Sequence, residues 1–334
     1  MRAGWSSTRR RRRRRPGAAG DASVAAIAGP DLQARRAAAI VPTTGAVARS
    51  ARVCGRDIEM RPARAICLAL FGSVLLAVPA QASGEEIPLP TLTVKAAAVP
   101  IPGFPGTGNF YGKGADVEAT LEIAGSGYGA SPQNPKGSVP PISAVNVYLP
   151  KGVKLHPSGF GSCNEATLKN LGASGCPRSS VASAVGSVLG EVTFGTERVP
   201  ENSTLQAFFA PGGELLFYTQ GSTPVSLEVV SSGRYVRSSG KYSWELETLV
   251  PPVATVPGAP LASVSKIHIK AGAAYRSHGK VIPYGTVPKK GECPKGGFFG
   301  KTEVTFGGTF GGEREFGIPA KTVTNVIRVP CPRR

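Results

Sequence analysis

Between Asp116 and Ala124 apolar and polar positions alternate: Val117, Ala119, Leu121 and Ile123 fall on one side, Asp116, Glu118, Thr120 and Glu122 on the other. A period of two is that of a strand with one face buried and one wet, and it predicts Asp116 on the polar face. Runs of the same kind recur in ISAVNVYL, STLQAFFA, ELLFYTQ, PVSLEVVSS, YSWELETLV, SVSKIHIKA, KTEVTFGGTF and KTVTNVIRV. Gly and Pro separate them, with APGGE (210–214) and RSSGK (237–241) reading as hairpin turns. About ten short strands with almost no helical period predict an all-β fold. We expect an antiparallel β-sandwich or jelly-roll-like body, with one lobe or two left open. The stretches 100–114 and 125–141 are too rich in Pro and Gly for strands and read as loops. EVTFG occurs at 191–195 and again at 303–307, too short a match to establish a repeat.

The helical exception lies between Cys163 and Cys176. Ser162 and Glu165 form an S-x-x-E capping box, Leu168 and Leu171 share a face, and Gly172 supplies the stop. A single short helix is predicted there, stapled at its ends.

Charge changes the picture of the N-terminus. The chain carries a net +18, but residues 1–59 hold thirteen Arg, seven of them consecutive (9–15), against Asp21, Asp31, Asp57 and Glu59. Residues 83–334 hold 24 Lys+Arg and 17 Asp+Glu, a net +7. From Met60, the sequence MRPARAICLALFGSVLLAVPAQAS has the parts of a secretory signal: Arg61 and Arg64, an apolar run from Ala65 to Val78, then Ala80-Gln81-Ala82. Cleavage is expected after Ala82, leaving Ser83 first. The run is too short for a stable membrane span. A signal belongs at a chain start, so segment 1–59 reads as a disordered Arg-rich stretch upstream of the true start rather than as an arm for nucleic acid. The expected organisation is therefore 1–59, signal peptide 60–82 and a secreted β body 83–334, loosely associated with the cell envelope.

Four cysteines remain after such cleavage: Cys163, Cys176, Cys293 and Cys331. An even count in an exported chain favours disulfides. His156, His268 and His278 complete no zinc spacing with them, so no metal or cofactor is expected. Sequence-local pairing, 163 with 176 and 293 with 331, is the preferred one of three connectivities.

GFPGTGNFYGKGA, LPKGVKLHPSGFGSC, CPRSSVASAVGS, FFAPGG and CPKGGF, in this order, resemble a group of secreted actinobacterial proteins over most of residues 100–310. These are loop-shaping Gly, Pro and Cys-Pro motifs. The resemblance speaks for fold and brings no site residues with it.

Candidate chemistry is sparse. Asp116 is the single Asp after residue 82, and no G-x-S-x-G elbow occurs, which disfavours a nucleophilic triad and D-x-D calcium loops. His268 alternates with Lys266 and Lys270 and reads as a solvated strand face. In YSWELETL, Glu245 and Glu247 are two apart on one strand face, about 7 Å from each other, the spacing of a glycosidase acid and its partner. A jelly-roll glucanase strand would carry Asp between them, where this chain has Leu246. Tyr111, Tyr128, Phe160, Phe298 and Phe299 sit in expected loops, as ligand contacts or as plugs at an end of the body. The reading that fits best is a non-catalytic, extracytoplasmic structural or binding domain, with anionic cell-wall polymers or glycans as partners. A glycan hydrolase using Glu245 and Glu247 is the alternative.

Overall fold

The computed structural model describes residues 86–310 and 315–332. The Arg-rich segment 1–59 and the signal peptide 60–82, with Ala80, Ala82 and Ser83 at its cleavage point, lie outside the described residues. The described chain is all-β with one short helix.

In chain order the strands are β1 (Thr91–Val99), β2 (Asp116–Ala124), β3 (Ile142–Pro150), β4 (Lys154–Leu155), β5 (Gly186–Phe194), β6 (Glu197–Phe209), β7 (Glu214–Gly221) and β8 (Leu227–Arg237). They continue with β9 (Tyr242–Leu249), β10 (Ser263–Ala271), β11 (Ala274–Ser277), β12 (Lys280–Pro283), β13 (Gly285–Thr286), β14 (Phe298–Phe306) and β15 (Lys321–Val329). Eleven of them form one sheet, in the order β1-β2-β10-β5-β6-β7-β8-β9-β3-β14-β15. All neighbours are antiparallel. β4, β11, β12 and β13 make two short ribbons.

The edge strands β1 and β15 run alongside each other. Side chains bridge them: Asn325 Nδ2 donates to Leu92 O at 3.0 Å, and Lys321 Nζ donates to Glu86 Oε1 and Ile87 O. The sheet thus curls into a near-closed barrel, whose facing walls are the two layers expected from the alternating pattern. Register shifts where β3 pairs with β9 and β14, and where β10 pairs with β5, mark bulges, which add bend and twist to a strand and help a sheet curl.

Apolar clusters pack toward both ends. Leu92, Leu121, Ile123, Ile142, Val304 and Phe306 form the core at one end. At the other, Phe209, Leu215 and Tyr284 pack with Phe160 and Tyr235. The Phe160 ring lies 4.7 Å from that of Phe209 and edge-on to Tyr284 at 5.7 Å, so this loop aromatic is an end plug. Phe298 and Phe299 correct the expectation of a loop, since both belong to β14.

The helix α1 (Glu165–Leu171) lies on the outside of the barrel. Fully buried Leu168 packs in one cluster with Phe208, Leu216, Tyr218 and Val230 from the outer faces of β6, β7 and β8. The N-cap is Asn164, not Ser162: its Oδ1 accepts from Thr167 N at 2.7 Å. Gly172 ends the helix with φ at +65°, as expected of the stop. Leu171 does not share the buried face and is 65% exposed, because so short a helix buries a single row.

The disulfides Cys163–Cys176 and Cys293–Cys331 are both formed, in the sequence-local pairing. The first staples α1 to its own flanks and Cys163 to the cluster beneath. Replacing both Cys163 and Cys176 by Ser is expected to lower unfolding free energy by about 3 kcal/mol, from loop entropy alone, with β structure intact. Denaturant unfolding followed by circular dichroism measures this.

Asp116 departs from its expected wet position. At the start of β2 it is only 2% exposed, and Oδ1 has no hydrogen-bond partner among the described residues. Gly272 packs against it so closely that a Cβ there would sit within 2.1 Å of Oδ1. Burial pushes its carboxyl up from 3.8 to about 6, against the pull of Lys270. The native state therefore holds this proton more tightly than the unfolded chain, and stability falls as pH rises from about 4 to about 6. Asp116→Asn removes the cost of burying the charge. The variant is expected to be more stable than the parent by about 2 to 3 kcal/mol at pH 7 and equal to it at pH 4, in paired melts.

Candidate functional site

Alternation along the strands places one set of side chains inside the barrel, and between the two plugged ends they do not fill it. A cavity of about 390 Å³ remains, within the range of small-ligand pockets.

Its walls differ. On β1, β2 and β10 the inward positions are aliphatic, several of them small: they include Ala96, Ala98, Ala119, Leu121, Ile267 and Ile269. The wall from β3 adds Val145, Val147 and Leu149. Val145, Val147, Ile267 and Ile269 are half-buried, although they point inward from the centre of a barrel. On β6 to β9 the lining includes hydroxyls, one from each successive strand: Ser203, Thr219, Ser231 and Thr248. Glu201 on β6 lines the cavity beyond Ser203 and is 3% exposed. Its Oε2 accepts from Val225 N at 3.3 Å, and Oε1 has no partner among the described residues.

A buried network ties loops over the end near Glu201. Arg198 donates to Leu261 O at 2.8 Å, to Ser263 Oγ at 2.9 Å and to Ser138 Oγ at 3.2 Å, while Ser138 Oγ also donates to Glu191. Leu261 N donates to the Tyr128 hydroxyl at 2.9 Å, so Tyr128 is a loop anchor rather than a ligand contact. Pro251, Pro252 and Val253, from the same loop, complete the lining.

The charged residues singled out by sequence lie elsewhere, whereas Phe298 is part of the lining. Glu245 and Glu247 do share a face of β9, but it is the outer face, and Leu246 and Thr248 between and beyond them line the cavity. Glu245 accepts from Asn146 Nδ2 at 3.2 Å, and Glu247 pairs with Arg234 at 2.8 Å. Next to Glu245, the Tyr148 hydroxyl donates to Glu303 at 2.9 Å; burial and the carboxylates of Glu245 and Glu303 push this phenol up. His268 stands on the outer face beside Glu118 at 3.2 Å, with Lys270 3.1 Å from the same carboxylate and Lys266 paired to Glu122. Among the described residues no group of three His, Cys, Asp or Glu is placed to hold a metal, and no helix is long and apolar enough to cross a membrane.

Comparison with family models, curated proteins and solved structures gave no match. The site has to be read from its own chemistry, and that chemistry is distinctive in sign. A barrel that spans a bilayer carries its apolar residues outward and its polar ones inward. Here ion pairs such as Glu122–Lys266 and Arg234–Glu247 decorate the outside, and the aliphatic residues line the interior. Such an interior, with one wall aliphatic, is suited to an apolar body. Sequence reasoning missed the site because an inward aliphatic residue of a hollow barrel and one of a packed sandwich obey the same alternation.

Proposed function

We propose that this protein is an exported, non-catalytic binding protein that holds a small apolar molecule inside its barrel. The observation that carries the reading is the half-buried aliphatic lining of the cavity. Burying that lining against a ligand is favourable at about 25 cal/mol per Å². Export is supported by the signal-like sequence at 60–82 and by two disulfides, which suit an oxidising compartment. Loose association with anionic envelope polymers is supported by the net +7 of residues 83–334.

Two measurements test these parts. An environment-sensitive apolar dye titrated into the exported protein is expected to bind saturably at one site, equally at 0.1 M and 1 M salt. Unsaturable or absent binding would contradict the cavity reading. Co-sedimentation with isolated cell walls is expected to fall strongly over the same salt range, as the Debye length shrinks from about 10 Å to about 3 Å. Retention unchanged by salt would point to a specific wall-glycan site in place of charge attraction.

A further inference from the structure

We propose that the cavity selects an amphiphile whose head is a hydrogen-bond donor, a hydroxyl or a protonated amine, seated against Glu201; this rests on the binding function proposed above. Glu201 is an acid placed where the alternating pattern of β6 calls for an apolar or small residue, in line with Ser203, Leu205, Ala207 and Phe209 on the inward face. Only one of its two carboxylate oxygens is used, by Val225 N, and the other, Oε1, is buried without a partner. A carboxylate oxygen accepts and does not donate, and leaving a buried acceptor unmet is costly. The chain offers no cation to it: among the described residues its recorded partner is a backbone amide. A donor brought by the ligand would meet this need once the side chain turns Oε1, which stands enclosed against Gly221, toward the cavity.

The surroundings fix the polarity of the guest. Gly221, paired with Ser203 across β6 and β7, leaves the space in which Oε1 lies; a Cβ at this glycine would stand 2.3 Å from Oε1 and 2.7 Å from Ser203 Oγ. The hydroxyls of Ser203, Thr219, Ser231 and Thr248 lead from Glu201 along one wall, and the aliphatic residues of β1, β2 and β10 form the other. A guest with an apolar tail and a donor head fits both walls, with its head at Glu201. A fatty-acid carboxylate would bring a second anion to the same buried acid, and like charges there oppose binding.

The test compares three twelve-carbon compounds, dodecan-1-ol, dodecylamine and dodecanoate, displacing an apolar dye from the exported protein with its disulfides intact. The alcohol and the amine are expected to bind about tenfold or more tightly than the carboxylate, the gain of one charge-assisted hydrogen bond. In Glu201→Gln, whose fold is checked by near-ultraviolet circular dichroism, the amine is expected to lose its advantage. The wild-type ranking decides the matter even if that variant fails to fold. Equal binding of all three heads, or tightest binding of dodecanoate, would overturn the role of Glu201 and leave the apolar cavity standing. Displacement by none of them, with the dye itself unbound, would remove the cavity function and this inference together.

Discussion

Ala119→Trp is expected to weaken uptake of an apolar ligand about a hundredfold or more while leaving the barrel folded. Ala119 lies midway along β2, paired with Ala96 on β1 and Ile269 on β10, and lines the cavity. An indole adds nine heavy atoms at this point. A ligand denied only ~110 Å² of apolar contact loses about 2.7 kcal/mol at ~25 cal/mol per Å², which is a hundredfold in affinity. Overpacking destabilises a filled core, but here the new ring enters unoccupied volume. Dye titration and a thermal melt of the same sample check both halves. Unchanged affinity in a folded variant would mean that the ligand binds elsewhere.

Phe208→Ala is expected to lower stability by about 3 to 5 kcal/mol, the range for deleting a buried aromatic ring. Phe208 points outward from β6 and is nonetheless 1% exposed, because α1 and the Cys163–Cys176 staple cover it. Both faces of β6 are therefore buried at its C-terminal end, with Phe209 in the end plug and Phe208 under the helix. At about 2 to 4 °C per kcal/mol for a chain of this size, the melting temperature should drop by about 10 °C. Glu247→Gln, an outer-face change opposite Arg234, should stay within about 0.5 kcal/mol. A loss below 1 kcal/mol for Phe208→Ala would mean that α1 does not lie on this wall.

The strands were legible where alternation was strict, as in β2, and where glycine turns bounded them, as in the β6–β7 hairpin at 210–214 and the β8–β9 hairpin at 237–241. β1 was harder to see, because Ala96, Ala97 and Ala98 blur both its period and its β propensity. Those alanines are also part of what keeps the interior hollow. The helix position and both disulfides followed from local spacing, whereas the cap did not: Ser162 and Asn164 both suit an N-cap, and only the backbone path selects Asn164. Asp116 and Glu201 show the limit most plainly. Each lies in a strand that reads as one polar and one apolar face, and each is buried by contacts with segments distant in sequence, Gly272 for one and the loop carrying Val225 for the other. A residue period reports which side of a strand a side chain is on; it is silent on what covers that side or whether the space beyond is filled.

The central claim, that the barrel interior is a binding site, is tested most directly by calorimetric titration of the exported protein with dodecan-1-ol at several temperatures, beside Ala119→Trp. The account predicts one site per chain and a negative heat-capacity change, the mark of apolar burial, with both absent in the variant. Binding of equal strength in the two proteins, or no saturable heat in the parent, would contradict it.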